Sequence, residues 1–155
     1  MKRGDPRSDE PLPDARGKRV AIVSARFYSA LADWLEDGAL RALAACGVAE
    51  ADRRLVRVPG CFELPLAARR AIDRGRCDAV VALGVVVRGE TPHFSYVAGE
   101  CARGLMDVAL GTGTPIGFGV LTTESLAQAE ERADPRRGDK GYSAAVAALT
   151  VAAID

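Results

Sequence analysis

One stretch near the middle of the chain, from Ala79 to Val97, restricts the fold more than any other part of the sequence. It begins with an apolar run, Ala79 to Leu83, and continues after Gly84 with a second short run, Val85 to Val87. Apolar runs of this length are typical of strands buried on both faces, as in a parallel sheet covered by helices. Polar residues from Arg88 to His93 follow, and then a helical pattern of apolar residues. This succession predicts an α/β fold, in which ligands bind at the carboxyl ends of the strands.

His93 is the only histidine in the chain, and it falls in the first turn of the helix predicted after this strand. A single histidine is most often an ordinary surface or core residue. This one stands beside a glycine-containing loop, where the free N–H groups of a helix start favour an anion. Pro92 suits the first helical turn. Because an imidazole changes protonation near neutral pH, His93 is a candidate for proton transfer.

The remaining segments alternate between strand and helix patterns. We predict further strands at Lys18–Ala25, Arg53–Val58 and Thr114–Leu121. We predict helices from Ser29, as a cap, to Gly47, from Leu64 to Arg74 with Gly75 at the end, from His93 to near Gly111, from Ser125 to Ala133, and from Lys140 to Ile154. Ser125 and Gln128 have the spacing of a capping box. The alternation predicts a three-layer, flavodoxin-like α/β domain, with a four-stranded parallel sheet and helices on both faces.

Length and composition fit a single domain. The chain has 155 residues, which we divide into a mobile, proline-containing tail at 1–17 and one α/β domain at 18–155. Its 21 basic and 21 acidic residues balance, which argues against a nucleic-acid-binding face. No apolar run reaches the length of a membrane span. Four scattered cysteines without a C-x-x-C pair favour a reduced, cytoplasmic protein, and with one histidine they argue against a structural zinc site.

Residue types suited to ligand binding follow every predicted strand. Motifs of other enzyme classes are missing: there is no G-x-x-x-x-G-K-[ST] phosphate loop and no G-x-S-x-G elbow. Gly111, Gly113 and Gly117 precede a strand instead of following one, so they are turn residues and not a dinucleotide fingerprint. Together the residues after the strands would line one rim of the sheet. They are Arg26 and Phe27, Gly60 to Glu63, Arg88 to His93, and Thr122 to Glu124.

Five segments occur in the order known from one enzyme family. They are ARF at 25–27, VPGCFELP at 58–65, LGVVVRGETPHFSYV at 83–97, GVLTTES at 119–125 and ERADPRRGDKG at 131–141. Each is weak alone, but five in order are very specific. On these segments the chain resembles the lumazine synthase (6,7-dimethyl-8-ribityllumazine synthase) family of riboflavin biosynthesis, from Lys18 to the C-terminus.

The resemblance implies a transferase that condenses 5-amino-6-ribitylaminouracil with 3,4-dihydroxy-2-butanone 4-phosphate and releases phosphate, with no metal and no organic cofactor. It also implies the roles of individual residues. Phe27 would stack on the pyrimidine ring, Cys61, Phe62 and Glu63 would hold the ribityl chain, and Val85, Val86 and Val87 would contact the heterocycle through their main chain. Gly89, Glu90 and Thr91 would bind the phosphate, and His93 would shuttle protons.

In the family, the site lies between neighbours of a homopentamer. The resemblance therefore assigns Phe118 and Lys140, for ribitylaminouracil, and Arg132, for phosphate, to the adjacent subunit. The expected partners are small-molecule substrates and other copies of the chain, with riboflavin synthase as a further candidate. The DPRRGD segment at 134–139 carries no insertion, which permits icosahedral assembly of pentamers.

Some positions depart from the commonest family pattern, and two alternative functions stay open. Tyr28 stands where asparagine is frequent, Cys61 replaces alanine or serine, and Glu90 occupies a place where small residues are common. The alternatives to an enzyme are a carrier of lumazine or flavin that has lost turnover, and a shell-forming structural protein. The joint presence of the candidate functional residues favours catalysis. These residues are Glu63, His93, Arg132 and Lys140.

Overall fold

The computed structural model describes residues 10–154 and shows a four-stranded parallel sheet with helices on both faces, which confirms the predicted fold class. The strands are β1 (Val20–Ala25), β2 (Arg53–Val58), β3 (Ala79–Val87) and β4 (Ile116–Thr123), in the order β2-β1-β3-β4. The helices are α1 (Ser29–Ala45), α2 (Leu64–Gly75), α3 (His93–Thr112), α4 (Leu126–Ala133) and α5 (Lys140–Ala152), with short 3₁₀ turns at Glu50–Asp52 and Cys61–Glu63. Within 10–154, no helix is long and apolar enough to cross a membrane.

Alternate residues of the central strands pack into two separate apolar cores. Ile22 and Val81 belong to the core formed with α1, α4 and α5. Val23 and Val80 belong to the core formed with α2 and α3. Because helices cover both faces, β1 is buried along its whole length and β3 along most of its length. The carboxyl ends of these strands are therefore the places where the chain emerges from the core.

The two apolar runs of the central stretch form one continuous strand, β3, which passes through Gly84 without a break. The reason lies across the strand: a Cβ atom at Gly84 would come within 2.5 Å of the Sγ atom of Cys61. A residue without a side chain at this position lets the turn Cys61–Glu63 pack directly on β3. Gly84 thus brings two predicted parts of the site together instead of ending the strand.

The ends of α1 agree with the sequence prediction on one side and differ on the other. Gly47, at φ +87°, donates to Ala44 O, and the next N–H, that of Val48, donates to Leu43 O. This is the Schellman arrangement expected of a glycine after a helix. At the other end Ser29 does not cap the helix: Tyr28 holds the N-cap position, and no side chain makes the capping hydrogen bond.

Other boundaries shift for identifiable reasons. Gly75 is the last residue of α2, and the left-handed residue after it is Arg76, at φ +51°. Ser125 Oγ accepts from Gln128 N as predicted, but Gln128 Oε1 accepts from Glu124 N, one residue before the donor of a capping box. The strand β4 begins and ends later than predicted, since α3 extends to Thr112 and the end of β4 pairs with the end of β3. Helix α5 ends at Ala152 and does not reach Ile154.

The predicted tail lies partly outside the described residues, which begin at residue 10. Within the described part, Ala15 is 1% exposed and belongs to the core beside α1. Its N–H donates to Cys46 O at 2.8 Å. The chain is therefore packed against the end of α1 already before residue 18.

Candidate active site

An open groove of about 630 Å³ lies between the ends of β1, β2 and β3 and the first turn of α3, and it is named the His93 groove below. Its position follows from the topology, because the carboxyl ends of parallel strands meet at one edge of the sheet. The groove brings together many of the residues assigned to the site from sequence. These are Phe27, Cys61, Phe62, Glu63, Val85, Val86, Val87 and His93.

Phe27 forms a wall of the groove directly after β1. Phe27 is 75% exposed, and its ring forms a T-shaped contact with Tyr28, with 5.0 Å between the ring centroids and 70° between the planes. Tyr28 in turn packs against the core beside α1. Most of the surface of Phe27 is therefore exposed, and its ring is available to stack on a planar heterocycle.

The turn Cys61–Glu63 forms a second wall after β2. Phe62 is exposed, whereas Cys61 is buried and its thiol donates to Val85 O at 3.9 Å. The neighbouring Cys101 thiol and burial both raise the pKa of the Cys61 thiol. Cys61 therefore stays protonated and is unsuited to act as a nucleophile.

His93 is the first residue of α3 and lies exposed at the groove. Pro92 holds the N-cap position, and its carbonyl accepts from Ser95 N at 3.0 Å. Tyr96 and Val97 line the same groove one helical turn later, and the sequence analysis did not identify Tyr96. Its spacing of three residues from His93 is the signal that could have done so.

The loop between β3 and α3 is held in place by Arg88. The main-chain N–H of Arg88 donates to Thr123 O at 2.8 Å, and the side-chain Nε of Arg88 pairs with a Glu124 carboxylate oxygen at 2.8 Å. The guanidinium carbon also lies 4.6 Å from the centroid of the Phe94 ring. The residues expected to bind phosphate, Gly89 to Thr91, are exposed in this loop, between the groove-lining residues Val87 and His93. The loop leaves room for a ligand, since no atom lies within 4 Å of a Cβ built on Gly89.

Six residues assigned to the site by resemblance are not among those that line the His93 groove: Gly89, Glu90 and Thr91, in the loop just described, and Phe118, Arg132 and Lys140. Phe118 and Lys140 line a second groove of about 660 Å³ at the edge of β4, between α3 and α5, named the β4-edge groove below. Arg132 lies on α4, and its Nη1 donates to Gln128 O at 3.1 Å. Within one chain, the candidate residues therefore fall into separate groups.

Comparison with known proteins decides the family. A family model described as 6,7-dimethyl-8-ribityllumazine synthase matches residues 17–155. The protein of that name from Halorhodospira halophila is 51% identical over 138 residues, which cover 89% of this chain and 86% of the relative. Its counterpart from Nitratidesulfovibrio vulgaris is 46% identical over 136 residues, covering 88% and 87%. The chain belongs to the 6,7-dimethyl-8-ribityllumazine synthase family. The resemblance found in the five segments is confirmed, and with it the expectation of an enzyme.

The charges in the His93 groove suit a ligand with hydroxyl groups better than a phosphate. Among the described residues that line it, Glu63 is the one acidic side chain, and there is no arginine or lysine. A carboxylate accepts hydrogen bonds from hydroxyl groups, whereas a phosphate calls for cationic donors. No group of three or more His, Cys, Asp or Glu residues in the described part of the chain could hold a metal ion.

Proposed function

We propose that this chain condenses 5-amino-6-ribitylaminouracil with 3,4-dihydroxy-2-butanone 4-phosphate to form 6,7-dimethyl-8-ribityllumazine and inorganic phosphate. The observation that carries the proposal is the composition of the His93 groove. It combines an exposed aromatic ring, a carboxylate and the single histidine of the chain, all within segments typical of the family.

The groove offers separate contacts for the two parts of ribitylaminouracil. The pyrimidine ring stacks on Phe27, which is 75% exposed, and meets the main chain at the end of β3, Val85–Val87. The hydroxyl groups of the ribityl chain bind Glu63 and the main chain of Cys61 and Phe62. These contacts fix the ring so that its amino group points towards the second substrate.

The condensation needs proton transfers and a binding site for the departing phosphate. The amine attacks the ketone to form a Schiff base and water, and elimination of phosphate leaves an enol that tautomerises to a ketone. The ribitylamino nitrogen attacks this ketone, and loss of a second water completes the ring. His93 accepts and returns the protons that these steps move, since an imidazole can both accept and donate a proton at its ring nitrogens. The main-chain N–H groups of Gly89 to Thr91 and the start of α3 hold the phosphate.

A neighbouring subunit completes the site in this proposal, because none of the described residues that line the His93 groove of one chain is an arginine or lysine that could pair with a phosphate. We place Arg132, Lys140 and Phe118 of the neighbour over the groove, within a homopentamer. The apolar character of the β4-edge groove supports this placement. Phe118, Met106 and Val151 line it and are 48%, 59% and 52% exposed, as expected of a surface that another chain covers.

A steady-state assay of phosphate release with both substrates tests the proposal. His93→Ala should lower kcat by a factor on the order of 10²–10⁴, nearer the lower end because the reaction also proceeds slowly without enzyme. Ribitylaminouracil affinity should change little. Ser95→Ala, an exposed position on the same helical turn, is the matched control and should retain full activity. Binding of ribitylaminouracil without turnover would instead favour the carrier, and an unchanged kcat in His93→Ala would remove His93 from the mechanism.

A further inference from the structure

One buried carboxylate near the His93 groove has no part in the chemistry described above. Glu36 lies on α1, and its side chain is 6% exposed. It accepts a hydrogen bond from Arg26 Nη1 at 3.0 Å, and two from Arg57, through Nε at 3.2 Å and Nη2 at 2.9 Å. Burying a carboxylate is costly unless its charge and lone pairs are satisfied, and here two guanidinium groups do so.

The two arginines stand at the ends of the strands that lead into the groove walls. Arg26 directly follows β1 and directly precedes Phe27. Arg57 lies near the end of β2, a few residues before the turn Cys61–Glu63. The strands run side by side, and Arg26 N donates to Val58 O at 2.9 Å beyond the last residue of β1. One carboxylate therefore connects both strand ends to α1.

The walls depend on such a connection because their aromatic side chains are not held by the core. Phe27 is 75% exposed and Phe62 is 64% exposed. The position of each ring is set mainly by the main chain that carries it. Because both arginines pair with the same buried carboxylate, the two stretches of main chain that carry them are restricted in how far they can move apart.

We propose that Glu36 is a positioning residue, which sets the spacing between Phe27 and the turn Cys61–Glu63 and thereby the affinity for the ring and polyol of the first substrate. The inference rests on the proposed function. The inference predicts an effect on the first substrate alone. The phosphate substrate binds at Gly89–Thr91, on the loop after β3, and Glu36 does not contact these residues.

The test is Glu36→Gln, which keeps the shape of the side chain and removes its charge. The KM for ribitylaminouracil should rise by about tenfold or more, while the KM for the butanone phosphate should stay within about twofold. Direct titration of the protein with ribitylaminouracil alone should show the same loss of affinity. If the substitution prevents folding, Arg57→Gln supplies the readout. The Arg57 side chain is 54% exposed, so its removal leaves no large cavity, and the same selective change in KM should follow.

Two controls separate positioning from a general loss of stability. Asp33→Asn removes an exposed carboxylate of the same helix that pairs with Arg26 at 2.8 Å, and it should leave both KM values unchanged. Leu43→Ala removes a fully buried side chain near the far end of α1 and should lower Tm without separating the two KM values.

Each outcome bears on the inference. Equal increases of both KM values in Glu36→Gln, or a lower Tm with unchanged KM values, would show a purely structural carboxylate and overturn it. The same selective KM change in Asp33→Asn would also overturn it, since bridging of the two strands would then not matter. A wild-type chain that neither binds ribitylaminouracil nor releases phosphate would instead refute the proposed function, and the inference with it.

Discussion

Subunit mixing tests whether the site is shared between chains. Two impaired variants are combined and assayed at a butanone phosphate concentration far below the KM of Arg132→Ala: His93→Ala, which damages the His93 groove, and Arg132→Ala, which damages the group of residues outside it. The structure motivates this choice, because Arg132 lies on α4 and is not among the residues that line the groove. In a shared site, the two defects need not fall in the same catalytic unit.

The expected recovery follows from counting neighbours in a ring. Each site takes its histidine from one chain and its arginine from the next. In an equal, random mixture, about half of the chains carry an intact His93, and about half of their neighbours carry an intact Arg132, so about one quarter of the sites are complete. A site built within one chain predicts no recovery, since every chain carries one defect.

The assay measures phosphate release by assemblies that have been unfolded together, refolded and checked by native mass spectrometry for mixed composition. A matched control mixes His93→Ala with Glu63→Gln, whose positions line the same groove. Every site in that mixture keeps one defect, so activity should stay at the level of the parents. Verified mixed assemblies of His93→Ala and Arg132→Ala that are no more active than this control would refute the shared site.

Three further predictions concern single residues. Arg132→Ala should raise the KM for the butanone phosphate by about 10- to 100-fold, the cost of a lost charge-assisted contact of ~1.5–3 kcal/mol, and should leave the KM for the pyrimidine nearly unchanged; equal effects would make it structural. Arg76→Gly should raise Tm, with a gain of up to about 1 kcal/mol, because Arg76 adopts φ +51°, which glycine tolerates better; a lower Tm would contradict this. Burial acts to raise the pKa of the Glu36 carboxyl, but Arg57, Ser24 and Arg26 together outweigh it and lower the pKa below the ordinary 4.5. The stability that the charged Glu36 gives the folded state is therefore complete above pH 4.5, and it is lost as the pH falls through the lower pKa that Glu36 has in the folded state. Urea unfolding should show the stability gap between wild type and Glu36→Gln closing with acid, and a constant gap would exclude the charge as its source.

The parts of the fold that sequence predicted well are those with local signals. The bounds of β2 were predicted correctly, Arg53–Val58, because Pro59 and Gly60 end the strand. The fold class and the position of the His93 groove followed from alternation and from the residues after each strand. Parallel topology then forces those residues to converge, so half of the candidate site could be located without any structure.

The parts that sequence missed depend on contacts between distant residues. Nothing local distinguishes Glu36 from a solvent-exposed helix residue, and one of the arginines that pair with its buried carboxylate, Arg57, is 21 positions away. Gly141 is another case: a Cβ there would meet the carbonyl oxygen of Leu35, so α5 packs directly on the main chain of α1. The left-handed conformation of Arg76 was not predicted. A glycine normally adopts this conformation after a helix, and the sequence has its glycine one position earlier, at Gly75.

The placement of the candidate residues also restricts how copies of the chain can associate. The His93 groove lies at the ends of β1, β2 and β3, whereas Phe118 and Lys140 lie at the edge of β4. A twofold contact through the β4 edge would bring Phe118 beside its own counterpart and leave both His93 grooves without a cation. If the site takes Phe118 and Lys140 from a second chain, the β4 edge of one chain must meet the His93 groove of the next. Such a head-to-tail contact uses two different surfaces of each chain, and it satisfies every site only when the chains close into a ring.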